Sequence, residues 1–109
     1  MTIETALDFV RECCGYPQAE ISVEFARQRK VWLDMKQRPI RTFAHTSPQA
    51  VIKYARAWAN RRGESFDLTY SPKQRGWGCD CAGIDDFDDD FCEVIMRTLV
   101  KAERKINAA

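Results

Sequence analysis

The stretch FDLTYSPKQRGWGCDCAGIDDFDDDF, residues 66–91, decides how this chain folds. Phe66, Leu68 and Tyr70 alternate with polar residues, the period of a strand with one buried face. Ser71-Pro72-Lys73-Gln74-Arg75-Gly76 carries the proline and glycine punctuation of a turn. Trp77, Cys79 and Cys81 then fall on one face of a second strand. These features predict an antiparallel hairpin over about 65–82. The aspartates that follow suit the positive end of a helix, so the spacing predicts a final helix over about 86–107. Its apolar stripe is Phe87, Phe91, Val94, Ile95, Leu99, Ala102 and Ile106.

Working outward, residues 2–14 read as an amphipathic helix with Ile3, Ala6, Leu7, Val10, Cys13 and Cys14 at helical spacing. Thr2 is the N-cap, Gly15 suits the position after the C-cap, and Pro17 blocks continuation. A second helix starts at Thr46 or Ser47, with Pro48 in its first turn, and runs to about Arg62 before Gly63. Val51, Tyr54, Ala55 and Trp58 form its buried stripe, and Lys53, Arg56, Asn60 and Arg61 lie towards another face. Residues 18–37 support two readings. Ile21, Val23, Phe25, Val31, Leu33 and Met35 alternate as paired strands would, while Ile21, Phe25, Gln28, Trp32 and Met35 form a helical stripe. ARQRK between the two halves holds no hairpin-turn residue and helix formers dominate, which favours the helix. Arg38 to Ser47 is a loop or short extended piece, since Pro39 restricts Arg38.

The expected fold is therefore α+β: one mostly helical domain over residues 1–109 with a small antiparallel β-hairpin. A chain of 109 residues is the size of one ordinary domain and buries a core without staples. Its 45% hydrophobic and 30% charged residues are a globular composition. No apolar run is long enough to span a membrane, and no secretory or lipidation signal is read at either end. Five cysteines, Cys13, Cys14, Cys79, Cys81 and Cys92, are an odd count with awkward spacings for internal disulfides. Reduced thiols in a cytoplasm are expected.

The formal net charge of +1 conceals segregation. Arg27 to Arg75 holds twelve Lys or Arg against three acids, Asp34, Glu64 and Asp67. From Asp80 to Glu93 there are seven acids and no base. The basic segment is interleaved with aromatics, the pairing that neutralises phosphates and stacks on bases. The candidate nucleic-acid-binding residues are Arg29, Lys30, Arg38, Arg41, Lys53, Arg56, Arg61, Lys73, Arg75 and Trp77. Trp77, between two glycines beside a basic turn, is the aromatic expected to be exposed. The acidic stretch supplies the alternative, a protein-docking patch of Asp85, Asp86, Asp88, Asp89 and Asp90 acting as a phosphate mimic. With charges of opposite sign at its two ends, the chain can also pair head to tail as a homodimer. A second alternative is a small zinc-binding domain through Cys79, Cys81 and Cys92, although C-x-C and C-C spacings differ from the paired knuckles of structural zinc sites.

Other chemistry fits the pattern less well. The aspartate run lacks the glycine and the terminal glutamate of an EF-hand loop. C-x-C is not the C-x-x-C redox motif, and neighbouring aspartates discourage thiolate formation. His45 is the only histidine, and there is no glycine-rich phosphate loop. No enzyme and no cofactor are expected. The general profile is small, single-domain, cytosolic and charge-segregated, without a catalytic constellation. It is similar to that of small phage- or mobile-element-encoded inhibitors such as anti-CRISPR and anti-restriction proteins. The resemblance lies in the profile and carries over no site residue. It implies a non-enzymatic binding protein that engages nucleic acid, single-stranded or duplex, or a nucleic-acid-handling protein complex.

Overall fold

A computed structural model describes residues 2–17, 19–21, 42–43 and 47–108. The elements in order are α1 (Ile3–Cys13), β1 (Glu20–Ile21), β2 (Thr42–Phe43), α2 (Pro48–Arg62), β3 (Phe66–Ser71), β4 (Gly76–Cys81), β5 (Ile84–Asp88) and α3 (Phe91–Ala108). The α+β class is as the sequence implies. β3, β4 and β5 form an antiparallel sheet in that order, and β1 pairs in parallel with β2. Strand β1 departs from the helix favoured for 18–37; the remainder of that segment lies outside the described residues.

Capping chemistry sets the first two helices where the sequence places them. Thr2 accepts a hydrogen bond from the Thr5 amide at 3.2 Å and caps α1. Ser47 accepts from the Ala50 amide at 3.4 Å and caps α2, with Pro48 opening the first turn. Each such cap is worth about 1 kcal/mol. Gly63, with φ +67°, ends α2 in the left-handed conformation, and its N–H donates to the Ala59 carbonyl. Val51, Tyr54, Ala55 and Trp58 of α2 are buried, the stripe read from the sequence.

The hairpin over 65–82 is present, but it gains a third strand. Residues 86–88, expected in the last helix, belong to β5, and that helix begins at Phe91. The chain reverses at the two residues between Cys81 and Ile84. Ala82 (φ +52°) and Gly83 (φ +79°) both adopt left-handed backbone, the requirement of a tight two-residue hairpin turn. Lys105 Nζ closes this turn by donating to the Ala82 carbonyl at 2.8 Å. Phe87 consequently points outward from the sheet, 42% exposed, instead of joining the α3 stripe. Its ring lies across Gly76, where an added Cβ would come within 2.5 Å of it. Of the aspartates expected to start α3, Asp90 does so by accepting from the Glu93 amide at 3.0 Å.

Helix α3 is the central element. One side packs on β4 and β5, the other on α1 and α2. Val94, Ile95, Met96, Leu99, Val100 and Ala102 are buried, as are Cys79 and Cys81 from β4, Val10 from α1 and Trp58 from α2. Fully burying one such aliphatic side chain contributes about 1.5–3 kcal/mol. All these residues belong to one continuous core. No helix among the described residues is long and apolar enough to cross a membrane.

A buried carboxylate ties the three helices together. The Glu103 side chain is only 7% exposed. Its Oε1 accepts from Arg62 Nε at 2.9 Å and from Trp58 Nε1 at 3.4 Å, and Arg62 Nη2 reaches both oxygens. The Cys13 thiol adds a hydrogen bond from α1. Burial alone would raise the Glu103 pKa; the hydrogen bonds from Arg62, Cys13 and Trp58 outweigh it and hold the group below its ordinary value. The stabilisation is therefore present above the ordinary carboxylate range and is lost as pH falls through the lowered pKa. Without Arg62, burial dominates and the sign reverses, because an ionised Glu103 then opposes folding as pH rises. Arg62→Ala should lower the urea midpoint by clearly more at about pH 7 than at about pH 3. Equal losses at the two pH values would contradict this assignment.

Candidate binding surfaces

The charged side chains separate into those that hold the fold together and those with no partner among the described residues. Asp86 is on the inner face of β5, opposite Cys79 and under α3. Its Oδ2 accepts from Arg97 Nε at 2.7 Å and Lys101 Nζ at 2.8 Å. Its Oδ1 accepts from Arg97 Nη2 at 3.2 Å and the Phe87 amide at 2.8 Å. Arg97 also reaches Asp88 Oδ2 at 3.1 Å and the Phe87 carbonyl at 3.0 Å. The hydrogen bond from Arg97 is the largest influence on Asp86. With those from Lys101 and Phe87 it drives the Asp86 pKa far below the usual range against the effect of burial. Asp88 is lowered too, chiefly by the Asp90 amide that donates to it at 2.8 Å. Two of the five aspartates assigned to a docking patch are thus internally neutralised, and Asp90 serves as a helix cap. Asp85 and Asp89 remain exposed.

The acidic surface left over lies elsewhere. On the outer face of the sheet, Asp67 pairs in register with Asp80, and Asp80 with Asp85. Three carboxylates therefore sit side by side across three strands, all exposed. The Asp80 pKa is raised, first by a hydrogen bond with Asp85, then by the charge of Asp85, partial desolvation and the charge of Asp67. Like charges directly opposite on a sheet are destabilising. Asp67 was outside the sequence-derived patch because its neighbours depend on strand register, which the sequence alone does not give. The exposed Phe87 ring shares this outer face.

The basic candidates are only partly assembled. Arg29, Lys30, Arg38, Arg41 and the single His45 lie outside the described residues. Lys53, Arg56 and Arg61 are exposed on α2: Lys53 and Arg56 lie away from its buried stripe, and Arg61, two turns after buried Tyr54, flanks the stripe with its guanidinium beside Gly15. They span about 12 Å of helix axis, with the exposed Asn60 between them. No ion pair or side-chain hydrogen bond engages them among the described residues. Arg11, Arg62, Arg97, Lys101 and Lys105, by contrast, are each bound to a carbonyl or carboxylate of the fold. Lys73 and Arg75 are exposed on the β3–β4 turn, a different element, with Arg75 in left-handed backbone (φ +54°).

Trp77 does not match its expectation of open exposure. Its ring is half-buried and meets Tyr70 and Phe91 edge to face, with centroids 5.0 and 4.9 Å away. The alternating pattern that puts Cys79 and Cys81 in the core puts Trp77 on the same inner face. Tyr70, 49% exposed, is the more accessible aromatic of this group.

All five cysteines are free thiols. Burial is the main reason their pKa values rise: Cys14 to about 12, and Cys13, Cys79 and Cys81 to about 11. Cys92 is raised as well, by burial and then by Asp90. Such groups resist the deprotonation that nucleophilic chemistry requires. Cys79, Cys81 and Cys92 are not brought together as a ligand set, and no group of three or more His, Cys, Asp or Glu among the described residues is arranged to hold a metal ion.

A scan against protein-family models finds no match to this chain, and searches of curated proteins and of solved structures find none either.

Proposed function

We propose that this protein is a non-enzymatic binding module of the inhibitor kind, engaging nucleic acid or a nucleic-acid-handling complex through the basic face of α2. The observation that carries the reading is the division among the cations. Five are committed to the fold, whereas Lys53, Arg56 and Arg61 stand exposed and unpaired among the described residues along a well-packed helix. Unpaired cations on a rigid helix meet phosphates at little ordering cost, and the counterions they release supply the affinity. Arg29, Lys30, Arg38 and Arg41 extend the same basic segment along the chain. Five free thiols suit action in a reducing cytoplasm. The likeness in profile to anti-CRISPR and anti-restriction inhibitors supports the same class of activity.

Binding of single- and double-stranded oligonucleotides should weaken steeply with salt. The triple variant Lys53→Gln/Arg56→Gln/Arg61→Gln should flatten the log–log salt slope by about two to three units. A salt slope near zero for the parent protein, or a triple variant indistinguishable from it, would overturn direct nucleic-acid contact through α2.

A second reading rests on the in-register row of Asp67, Asp80 and Asp85. A sheet that keeps three like charges side by side forgoes stability, and a cationic protein surface docked there would relieve the repulsion. In this reading the acidic face mimics a phosphate row, and the exposed Phe87 adds an apolar contact. The variant Asp67→Asn/Asp80→Asn/Asp85→Asn should unfold at a higher temperature than the parent while losing capture by a basic nucleic-acid-handling partner. A lower unfolding temperature would contradict the repulsion, and unchanged capture would contradict the docking role.

A further inference from the structure

A recess of about 320 Å³ opens between the start of α1 and the middle of α3, lined by Thr2, Thr5, Arg97, Val100, Lys101 and Arg104. It is separate from both surfaces above. Arg97, Lys101 and Arg104 reach it because positions i, i+4 and i+7 share one side of a helix. The opposite wall is the first turn of α1, whose Thr2 and Thr5 hydroxyls are hydrogen-bonded to each other at 2.8 Å. Buried Val100 supplies apolar lining. Three cations and two hydroxyls thus border the recess; Asp86 pairs with Arg97 and Lys101 from the β5 side, and Arg104 alone carries no ion pair among the described residues.

The donors are not exhausted by the fold. Lys101 gives one hydrogen bond to Asp86 and has two further N–H groups. Arg104 is exposed and its planar fork makes no hydrogen bond or ion pair among the described residues. Arg97 is locked in orientation by Asp86, Asp88 and the Phe87 carbonyl, so its charge stands beside the recess at a fixed place. Donors from two helices border the same recess. That arrangement suits a tetrahedral oxyanion with several acceptor oxygens better than a planar carboxylate, which one Arg fork satisfies alone.

We propose that this recess binds a phosphate-class oxyanion, either inorganic phosphate or the phosphoryl group of a small phosphomonoester. Arg104 and Lys101 are the direct donors, the hydroxyl proton left over from the Thr2–Thr5 pair completes the shell, and Arg97 contributes its fixed charge. The volume exceeds that of phosphate alone and falls at the lower end of small-molecule pockets, leaving room for a substituent on the phosphoryl group.

The test is a titration of the full chain with inorganic phosphate, and separately with a nucleoside 5′-monophosphate, at constant ionic strength set by chloride. Backbone amide shifts provide the readout. Saturable shifts at Thr2, Thr5, Lys101 and Arg104 are expected. Arg104→Ala should weaken binding by about tenfold with an unchanged urea midpoint. The α2 triple variant should leave it intact, which separates this site from the nucleic-acid reading. Tighter binding of the monoester identifies a substituted phosphoryl group as the ligand; equal or weaker binding identifies phosphate itself. Absence of saturable shifts with both probes, or equal weakening by the Arg104 and α2 variants, would overturn the proposal.

Discussion

The structure depends on the placement of charge on both sides of one buried helix. α3 lies between a sheet and two helices, and both sides carry ionic groups that must be satisfied. On one side Glu103 is taken out of water, which would cost several kcal/mol without compensation. Arg62, Trp58 and Cys13 satisfy it from the two neighbouring helices. On the other side Arg97 and Lys101 are satisfied by Asp86 from β5. These contacts carry information that apolar packing lacks. Hydrophobic burial fixes that α3 is inside, while the two ionic clusters fix its rotation and its height against each neighbour.

That constraint orders the rest of the surface. Most of the charge consumed in setting α3 is unavailable to a partner, Lys101 keeping spare donors, so the surface open to a partner is largely what remains. The remainder falls into patches of uniform sign: a basic face on α2, an acidic row on the outer sheet, and a cation-rimmed recess between α1 and α3. Mixed charges would favour solubility alone, whereas segregated ones steer and orient an oppositely charged partner. The acidic row is the clearest departure from what folding would choose. It places like charges opposite one another where any neutral residue would pair better.

How much of this was legible in the sequence varies with how local its cause is. α1 and α2 were readable to within a residue because Thr2, Ser47, Pro48 and Gly63 act on their own helix ends. The β3–β4 hairpin was readable because Phe66, Leu68, Tyr70, Trp77, Cys79 and Cys81 keep a strict period of two. β5 was not. Its aspartates are poor strand formers, and what holds them there is Arg97 and Lys101, some ten to fifteen residues away in the chain. The same holds for the sites. Asp86 and Asp88 look like free acids until α3 is placed over them. The row of Asp67, Asp80 and Asp85 exists only once register is known. Trp77 reads as open from its flanking glycines, whereas strand alternation governs where the ring points.

The central claim is that the cluster of Asp86, Arg97 and Lys101 holds the fold, whereas Lys53, Arg56 and Arg61 of α2 do not. Equilibrium urea unfolding at neutral pH tests it directly, comparing Asp86→Asn with the triple variant Lys53→Gln/Arg56→Gln/Arg61→Gln. Asp86→Asn should lose about 1–3 kcal/mol, because it removes the negative charge Arg97 and Lys101 share and sets an amide NH2 against one of their donors. The triple variant should stay within about 0.5 kcal/mol per substitution of the parent, as surface changes without partners do. A triple variant as destabilised as Asp86→Asn, or an Asp86→Asn protein as stable as the parent, would contradict the division.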